Sequence, residues 1–300
     1  MNKDNLHPFL SLNDYALTQE KFELYLNKEL EMLVTIPKPT NEQLGKYYED
    51  SAYLPHTDSN KSFFDKIYQF VKKHAINNKV TLINSLKTES KTVLDIGIGT
   101  GDFLLACQKN GWSVTGIEPN KNARILAQEK FEQFFKNNSS NLFYDSLKNL
   151  QESQSQNSPK FDVITMWHVL EHVPEVENYI KQLKSFLKPN GTLIIAVPNF
   201  KSYDAFYYGK FWAAFDVPRH LYHFSKKSIK TLFGNENMIV YKIFPMKVDS
   251  FYVSLLSEKY KTGKMNYFMG FLIGLQSNLK ALVSDEYSSH IYLINHQKSI

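Results

Sequence analysis

Short apolar runs punctuate the middle of the chain, and segments with helical character alternate with them. Residues 92–96 are apolar or β-branched apart from Asp95, the signature of a strand buried on both faces. Residues 103–107 then read as a helix, with Gly111 placed to stop it. The alternation continues with a strand at 113–118, a helix at 122–135, a short strand at 142–144 and a strand from 161 to about 166. Pro174 suits the first turn of a helix whose Val176, Tyr179, Ile180, Leu183 and Phe186 share one face. Residues 189–191 form a turn into a strand at 192–197, and 151–160 is a polar loop. Upstream, Phe64, Ile67, Tyr68 and Val71 recur at helical spacing; downstream, Ser225 caps a helix that stops at Gly234. Residues 239–248 and 287–295 supply two last strands. The pattern predicts an α/β fold around a largely parallel sheet.

Two stretches resist this reading. In residues 1–60, Pro37 and Pro39 interrupt the chain, Thr40 to Gln43 resembles a capping box, and aromatics mix with polar groups up to His56. This N-terminal arm either packs its aromatics on the core or forms a flap bringing Tyr53 and His56 to a ligand. Residues 256–284 form a helical insertion with an apolar run at 267–275, too short and interrupted to span a bilayer. A buried or homodimer-forming helix is one reading, and a surface for a membrane or greasy substrate is the other.

The loop after the first strand carries the chemistry. Gly97, Gly99 and Gly101 allow a sharp turn and close backbone approach to a ligand at the carboxyl end of a strand. A dinucleotide fingerprint requires a small third residue where this chain has Asp102, which disfavours an NAD-dependent oxidoreductase. The Gly-Lys-Ser/Thr of a P-loop is absent. Asp95 suits a ligand bearing ammonium and sulfonium charges and repels pyrophosphate. The next strand ends in Glu118, about twenty residues on, where an acid accepts hydrogen bonds from ribose hydroxyls.

Residues 93–101, 116–119, 161–173 and 187–195, in that order, resemble the motifs of class I S-adenosylmethionine-dependent methyltransferases. The resemblance implies a Rossmann-like seven-stranded sheet with its last strand antiparallel and helices on both faces. It also implies S-adenosylmethionine as cofactor, with S-adenosylhomocysteine as product. Carried over residue by residue, the cofactor would meet Asp95, Gly97, Gly99 and Gly101 at its amino-acid end, and Glu118 and Pro119 at the ribose. Asp145, Ser146 and Leu147 would meet the adenine, with Trp167, His168 and His172 near the methionine end. The segment at 170–173 is similar to the quinone O-methyltransferase branch, where glutamates hold a divalent metal. Here His168 replaces one of them, so no metal is assigned. Some relatives carry a cysteine-rich zinc ribbon before a similar Pro-x-Pro segment; this chain lacks those cysteines.

Composition narrows the partners. The chain has 300 residues, 43% hydrophobic, with a net charge of +5 from scattered lysines rather than the basic stripe of a nucleic-acid binder. One cysteine and no apolar run near the start predict a reducing, cytoplasmic setting. The domain plan is then an arm at 1–60 and a methyltransferase domain at 61–300, with an aromatic lid at about 200–226. In that lid, His220 or His223 is a candidate general base and Asp216 its orienting acid. Arg219 is placed to hold an anionic group of the acceptor, and Trp212 to form a wall. The alternative is a structural Asp216–Arg219 ion pair with His220 capping the loop. The expected activity is methyl transfer to a small molecule, at a hydroxyl oxygen. The rival is a partner protein that kept the cofactor pocket and lost the chemistry.

Overall fold

A computed structural model describes residues 5–40, 43, 45–47, 63–134, 142–153 and 159–297. The predicted Tyr53 and His56 lie outside the described residues. The chain opens with strands β1 (Leu6–Asn13), β2 (Lys21–Asn27) and β3 (Met32–Ile36), followed by helix α1 (Phe63–Asn84). Then come β4 (Thr92–Ile96), α2 (Asp102–Lys109), β5 (Ser113–Ile117), α3 (Lys121–Phe134), β6 (Phe143–Tyr144), α4 (Leu147–Glu152) and β7 (Phe161–Trp167). Helix α5 (Val176–Phe186) leads into β8 (Leu187–Pro198), then α6 (Tyr203–Tyr208), β9 (Tyr222–His223), α7 (Lys226–Gly234) and β10 (Met238–Pro245). Helices α8 (Asp249–Thr262) and α9 (Tyr267–Ser284) precede β11 (Ser289–His296).

The larger sheet has seven strands in the order β10-β11-β8-β7-β4-β5-β6. Strand β4 pairs in parallel with β5 and β7, and β11 runs antiparallel to β10. The central strands are mostly apolar and buried along nearly their whole length because helices cover both faces of such a sheet; Val93, Leu94, Val163 and Ile164 are all fully buried. Among the described residues, no helix is long and apolar enough to cross a membrane.

Several boundaries differ from the sequence pattern. Residues 6–36, where no strand was expected, form three antiparallel strands of a second sheet, which β9 completes. Strand β8 begins at Leu187, so the 189–191 turn lies within it. Strand β10 ends at Pro245, and the following segment is a helix pair starting at Asp249 rather than 256. Gly263, at φ +77, ends α8 in the left-handed region, and Asn266 caps α9 by accepting the Met269 N–H at 3.1 Å.

The chain divides into two compact units, residues 1–49, 168–179 and 195–300 forming one and 50–167 with 180–194 the other. In the first, Leu12, Phe22, Leu24 and Leu33 share a core with Trp212, Phe215 and Val217. Much of the 200–226 segment therefore packs as core, while Phe206 is exposed. In the second, Asp162 gathers the N–H groups of Glu89 and Thr92, two hydroxyls and Lys188, which hold it ionised well below the usual carboxylate range despite burial.

Candidate active site

The candidate residues fall into two groups, one in each unit. In the unit of residues 50–167, β4 delivers Asp95, 2% exposed, opposite Thr165 of β7, whose hydroxyl donates to Asp95 Oδ1 at 2.6 Å. Burial dominates its ionisation and pushes the carboxyl up to about 7. Beyond it, Gly101 at φ +78 lets α2 approach α3 closely, since a Cβ there would stand 3.0 Å from the Ala127 Cβ. Gly99, at φ +53, has open space where its Cβ would be. Asp102, in place of a third small residue, is held by Lys72 and Lys130.

The Glu118 carboxylate bridges backbone groups at the end of β5. Its Oε2 accepts the Gly99 N–H at 2.8 Å, and its Oε1 accepts the Asn120 N–H at 2.9 Å. It is 9% exposed, and burial raises its ionisation above the ordinary carboxylate value. Pro119 beside it is exposed. Asp145 is exposed and accepts from Ser146 Oγ and Asn149 Nδ2. Ser146 caps α4 by accepting the Asn149 N–H, while Leu147 is buried. Trp167 ends β7 edge-on to Phe103, with the Lys79 ammonium 4.4 Å from its ring centre.

Asp95 yields a pH signature of stability. Its carboxyl loses its proton near the ordinary value of 3.8 when unfolded but only near 7 when folded. Folding therefore becomes less favourable as pH rises through that window and levels off above it. Asp95→Asn escapes this, so its stability relative to wild type should rise by on the order of 3 kcal/mol between pH 4 and 8. Urea unfolding across that range checks it; a constant difference would refute the buried, proton-holding carboxyl.

In the other unit, the chain leaves β7 through His168, whose φ of +58 is unusual for a residue with a Cβ and re-aims the chain sharply. His168 Nε2 lies 3.1 Å from Asp249 Oδ2, and its Nδ1 is 3.5 Å from Glu171 Oε1. Burial opposes a charged ring, but these two carboxylates outweigh it and raise the imidazole to about 10. His168 is thus an imidazolium at neutral pH. Glu171 is fully buried, its Oε1 facing the His168 ring at 3.5 Å, a contact too long and misaligned for a full hydrogen bond. Burial works against its charge, yet the surrounding histidines hold it below the ordinary value.

Two further histidines flank this carboxylate. His172 Nδ1 lies 3.0 Å from the Arg219 carbonyl, and His220 Nδ1 lies 2.9 Å from the Ala214 carbonyl. Carbonyls only accept, so each Nδ1 carries the hydrogen, and in a neutral ring the lone pair is on Nε2. Burial and repulsion from His220 push His172 down to about 4. The sequence assigns no metal ligands, yet Glu171, His172 and His220 bring ligand atoms within 4.8 Å of one another.

The remaining candidates sit elsewhere in this unit. His223, 4% exposed, lies in β9 with its Nε2 3.2 Å from Thr35 Oγ1, and burial holds it neutral. Asp216 is 3.9 Å from His220, beyond hydrogen-bonding distance, and instead accepts from Arg219 Nε and Nη2 at 2.9 and 2.7 Å. Arg219 is 1% exposed and also donates to Asp14 and to the Tyr47 carbonyl. Its guanidinium is committed inside the fold rather than presented to a ligand. Trp212, 2% exposed, donates to Asp204 at 2.7 Å. The geometry is that of the structural ion pair, with the Ala214 carbonyl rather than Asp216 orienting His220.

A family model described as a methyltransferase domain matches residues 65–240, more than half of the chain. The chain belongs to the class I S-adenosylmethionine-dependent methyltransferases. It is 33% identical over 143 residues to the ubiquinone biosynthesis O-methyltransferase of Actinobacillus pleuropneumoniae serotype 7, covering 45% of this chain and 58% of that protein. The protein of the same description from Glaesserella parasuis serovar 5 is 31% identical over 175 residues, covering 55% of this chain and 72% of its own length. Matches to several such methyltransferases thus span less than two thirds of their length. Among solved structures, the magnesium protoporphyrin IX methyltransferase of Synechocystis PCC 6803 with bound S-adenosylhomocysteine has a TM-score of 0.51 at 16% identity. That alignment covers 85% of this methyltransferase and 93% of the other chain, and shows the shared fold.

Sequence reasoning missed Asp249, Asp14 and Thr35. Asp249 meets His168 from 81 positions away, and Asp14 meets Arg219 across 205. No local spacing announces such pairs. Glu171 was marked only by its likeness to the quinone branch, although a glutamate between Leu170 and His172 in a mostly apolar segment hints at a buried acid.

Proposed function

We propose that this methyltransferase transfers a methyl group to a hydroxyl oxygen of a small-molecule acceptor, with His220 taking the acceptor's proton. The observation that carries the reading is the fixed tautomer of His220 beside the buried Glu171 carboxylate. With Nδ1–H held by the Ala214 carbonyl, Nε2 is the proton-accepting atom. The negative Glu171 favours the imidazolium that forms, as an acid partner does in proton-transfer sites. His168, paired with Asp249, balances part of the Glu171 charge.

The glycine loop and Glu118 fit S-adenosylmethionine: open space lies over Gly99, and a carboxylate at the strand end is already aligned by two backbone N–H groups. When bound, the cofactor supplies a methyl group activated by its sulfonium. Glu118 and Pro119 would hold the ribose, and Asp145, Ser146 and Leu147 the adenine. Gly97, Gly99 and Gly101 would hold the amino-acid end, with Asp95 stiffening the loop through Thr165. Trp167 would wall the methionine end. Relatives described as O-methyltransferases support the choice of oxygen.

Incubation with S-adenosylmethionine and a panel of phenols, catechols, hydroxy acids and amines tests the reading. S-Adenosylhomocysteine should accumulate with a hydroxyl-bearing acceptor, and mass spectrometry should place the methyl on oxygen. Turnover of amines alone would overturn the assignment. A second reading follows from the Glu171–His172–His220 cluster, which has the donor types of a divalent-cation site. If His220 works by proton transfer alone, EDTA leaves the rate unchanged. A rate lost to EDTA and restored by Mg²⁺ or Mn²⁺ would instead assign the three residues to a cation that polarises the hydroxyl.

A further inference from the structure

The α8–α9 pair has its polarity turned inside out. In α9, the residues buried against neighbouring helices are mostly small: Gly270, Gly274, Ser277 and Ala281, with Ile273. A Cβ on Gly270 would lie 2.9 Å from the Leu255 Cα, and one on Gly274 2.8 Å from the Phe251 Cα, so the two backbones touch. From α8, the fully buried positions are Ser250, Ser254 and Ser257. Ser250 Oγ donates to the Gly274 carbonyl at 3.1 Å, and Ser277 Oγ donates to Asp204 Oδ1 at 2.6 Å.

The large apolar side chains face outward. Phe268, Phe271, Leu275, Leu279 and Leu282 follow at steps of three and four, one stripe of a helix, and are 37–74% exposed. Val283 beside them is 93% exposed. A helix in water buries its bulky apolar residues and exposes its small polar ones. Small residues at the helix contact with bulky apolar ones outside is the arrangement of helices packed in lipid. Yet α9 is not a membrane-crossing helix.

Charge selects the occupant. Residues 259–284 contain Lys259, Lys261, Lys264 and Lys280 and no Asp or Glu, and the acids that flank them are engaged elsewhere: Glu258 is buried, Asp249 meets His168, and Asp285 and Glu286 hold Lys226. A second copy placed on this stripe by a two-fold axis would bring two sets of lysines together with no acid in the segment to pair them. An anionic lipid surface pairs with all of them and takes up the stripe. Tyr267 and Met265, both exposed near the α9 N-terminus, extend the apolar edge beside Lys264.

We propose that the α8–α9 pair lies flat on anionic membrane, with the Phe268–Leu282 stripe sunk into the headgroup boundary and the lysines at its rim. This docking is independent of the acceptor and of the methyl-transfer chemistry. At about 1.5 Å per residue, the 18 residues of α9 give a strip about 27 Å long.

Flotation of the full-length protein with vesicles tests the proposal. Vesicles of three parts phosphatidylcholine to one part phosphatidylglycerol should carry the protein up, and pure phosphatidylcholine should carry much less. Raising the salt concentration should weaken the binding, because the lysine contribution is screened. Phe268→Ser/Phe271→Ser/Leu279→Ser, all at exposed positions, should reduce flotation roughly ten-fold or more while the thermal unfolding curve stays as in wild type. As a second readout, Phe271→Trp emission should shift to the blue on anionic vesicles. Absence of flotation on anionic vesicles overturns the proposal, as does a triple-serine variant that floats like wild type. A wild-type dimer in light scattering that the triple variant breaks also overturns it, assigning the stripe to a second copy.

Discussion

Asp14→Ala should destabilise the unit that contains the N-terminal sheet by about 3–5 kcal/mol, the cost of leaving a buried charge with part of its partner set removed. Asp14 and Arg219 are both essentially inaccessible, and their closest contact is 2.7 Å. Asp14 also accepts the N–H groups of Ala16, Leu17 and Thr18 and the Thr18 hydroxyl, which close the turn after β1. Alanine removes the ion pair and the turn acceptor together. Asp216→Ala should cost less, because Asp216 is more exposed and Asp14 remains to hold the guanidinium. The double variant Asp14→Ala/Arg219→Met should recover part of the loss, since no unpaired charge is then buried. Burial penalises the Asp14 charge, but Arg219 and the turn donors hold its ionisation below 3.8. The advantage of wild type is therefore full above that value and shrinks as pH falls through the folded-state value. Denaturant unfolding of the four proteins measures this. A loss under about 1 kcal/mol for Asp14→Ala would return the pair to the class of dispensable surface bridges.

The second large effect concerns chemistry. His220→Ala should lower kcat by roughly 10²–10⁴, the usual range for losing a positioned base, while leaving cofactor affinity within about two-fold. Glu171→Gln keeps the shape of the carboxylate and removes its charge, so it should lower kcat by withdrawing the negative charge beside the imidazolium that forms on His220. His223→Gln should leave kcat nearly intact and register in the unfolding curve, because its ring is buried against Thr35 and Phe215. Equal losses for His220 and His223 would point to damaged packing. A His220→Ala enzyme with unchanged kcat would remove it from the proton path.

The nucleotide-type half of this methyltransferase was legible because its signals are local. A buried strand, a glycine loop, a helix and an acid about twenty residues on lie in one continuous stretch, and each element is dictated by its own composition. Trp167 and His168 were placed at a strand end for the same reason. The N-terminal sheet was not legible. Strand β1 carries Pro8 and a register shift between Pro8 and Leu10, so its burial does not alternate, and β3 is buried at four successive positions, Met32 to Thr35, with no period to read. Its partner β9 is two residues long and lies far along the chain. The 200–226 segment misled in a different way. Titratable groups among aromatics suggested a site, and part of that signal came from Arg219 and Asp216, whose charges bind each other and Asp14 within the core. The helical insertion was expected from 256, but the start of α8 at Asp249 was not, because α8 presents serines where a periodic apolar face is expected.

Isothermal titration with S-adenosylmethionine and S-adenosylhomocysteine, on wild type and Glu118→Ala, tests the central claim most directly. Both ligands should bind wild type, and bind Glu118→Ala more weakly by roughly 1–3 kcal/mol through loss of a buried hydrogen-bonding carboxylate. The Asp14 and Glu171 variants, read alongside, should bind as wild type wherever they remain folded. Failure of folded wild type to bind either ligand would contradict the account and leave a methyltransferase fold without its cofactor.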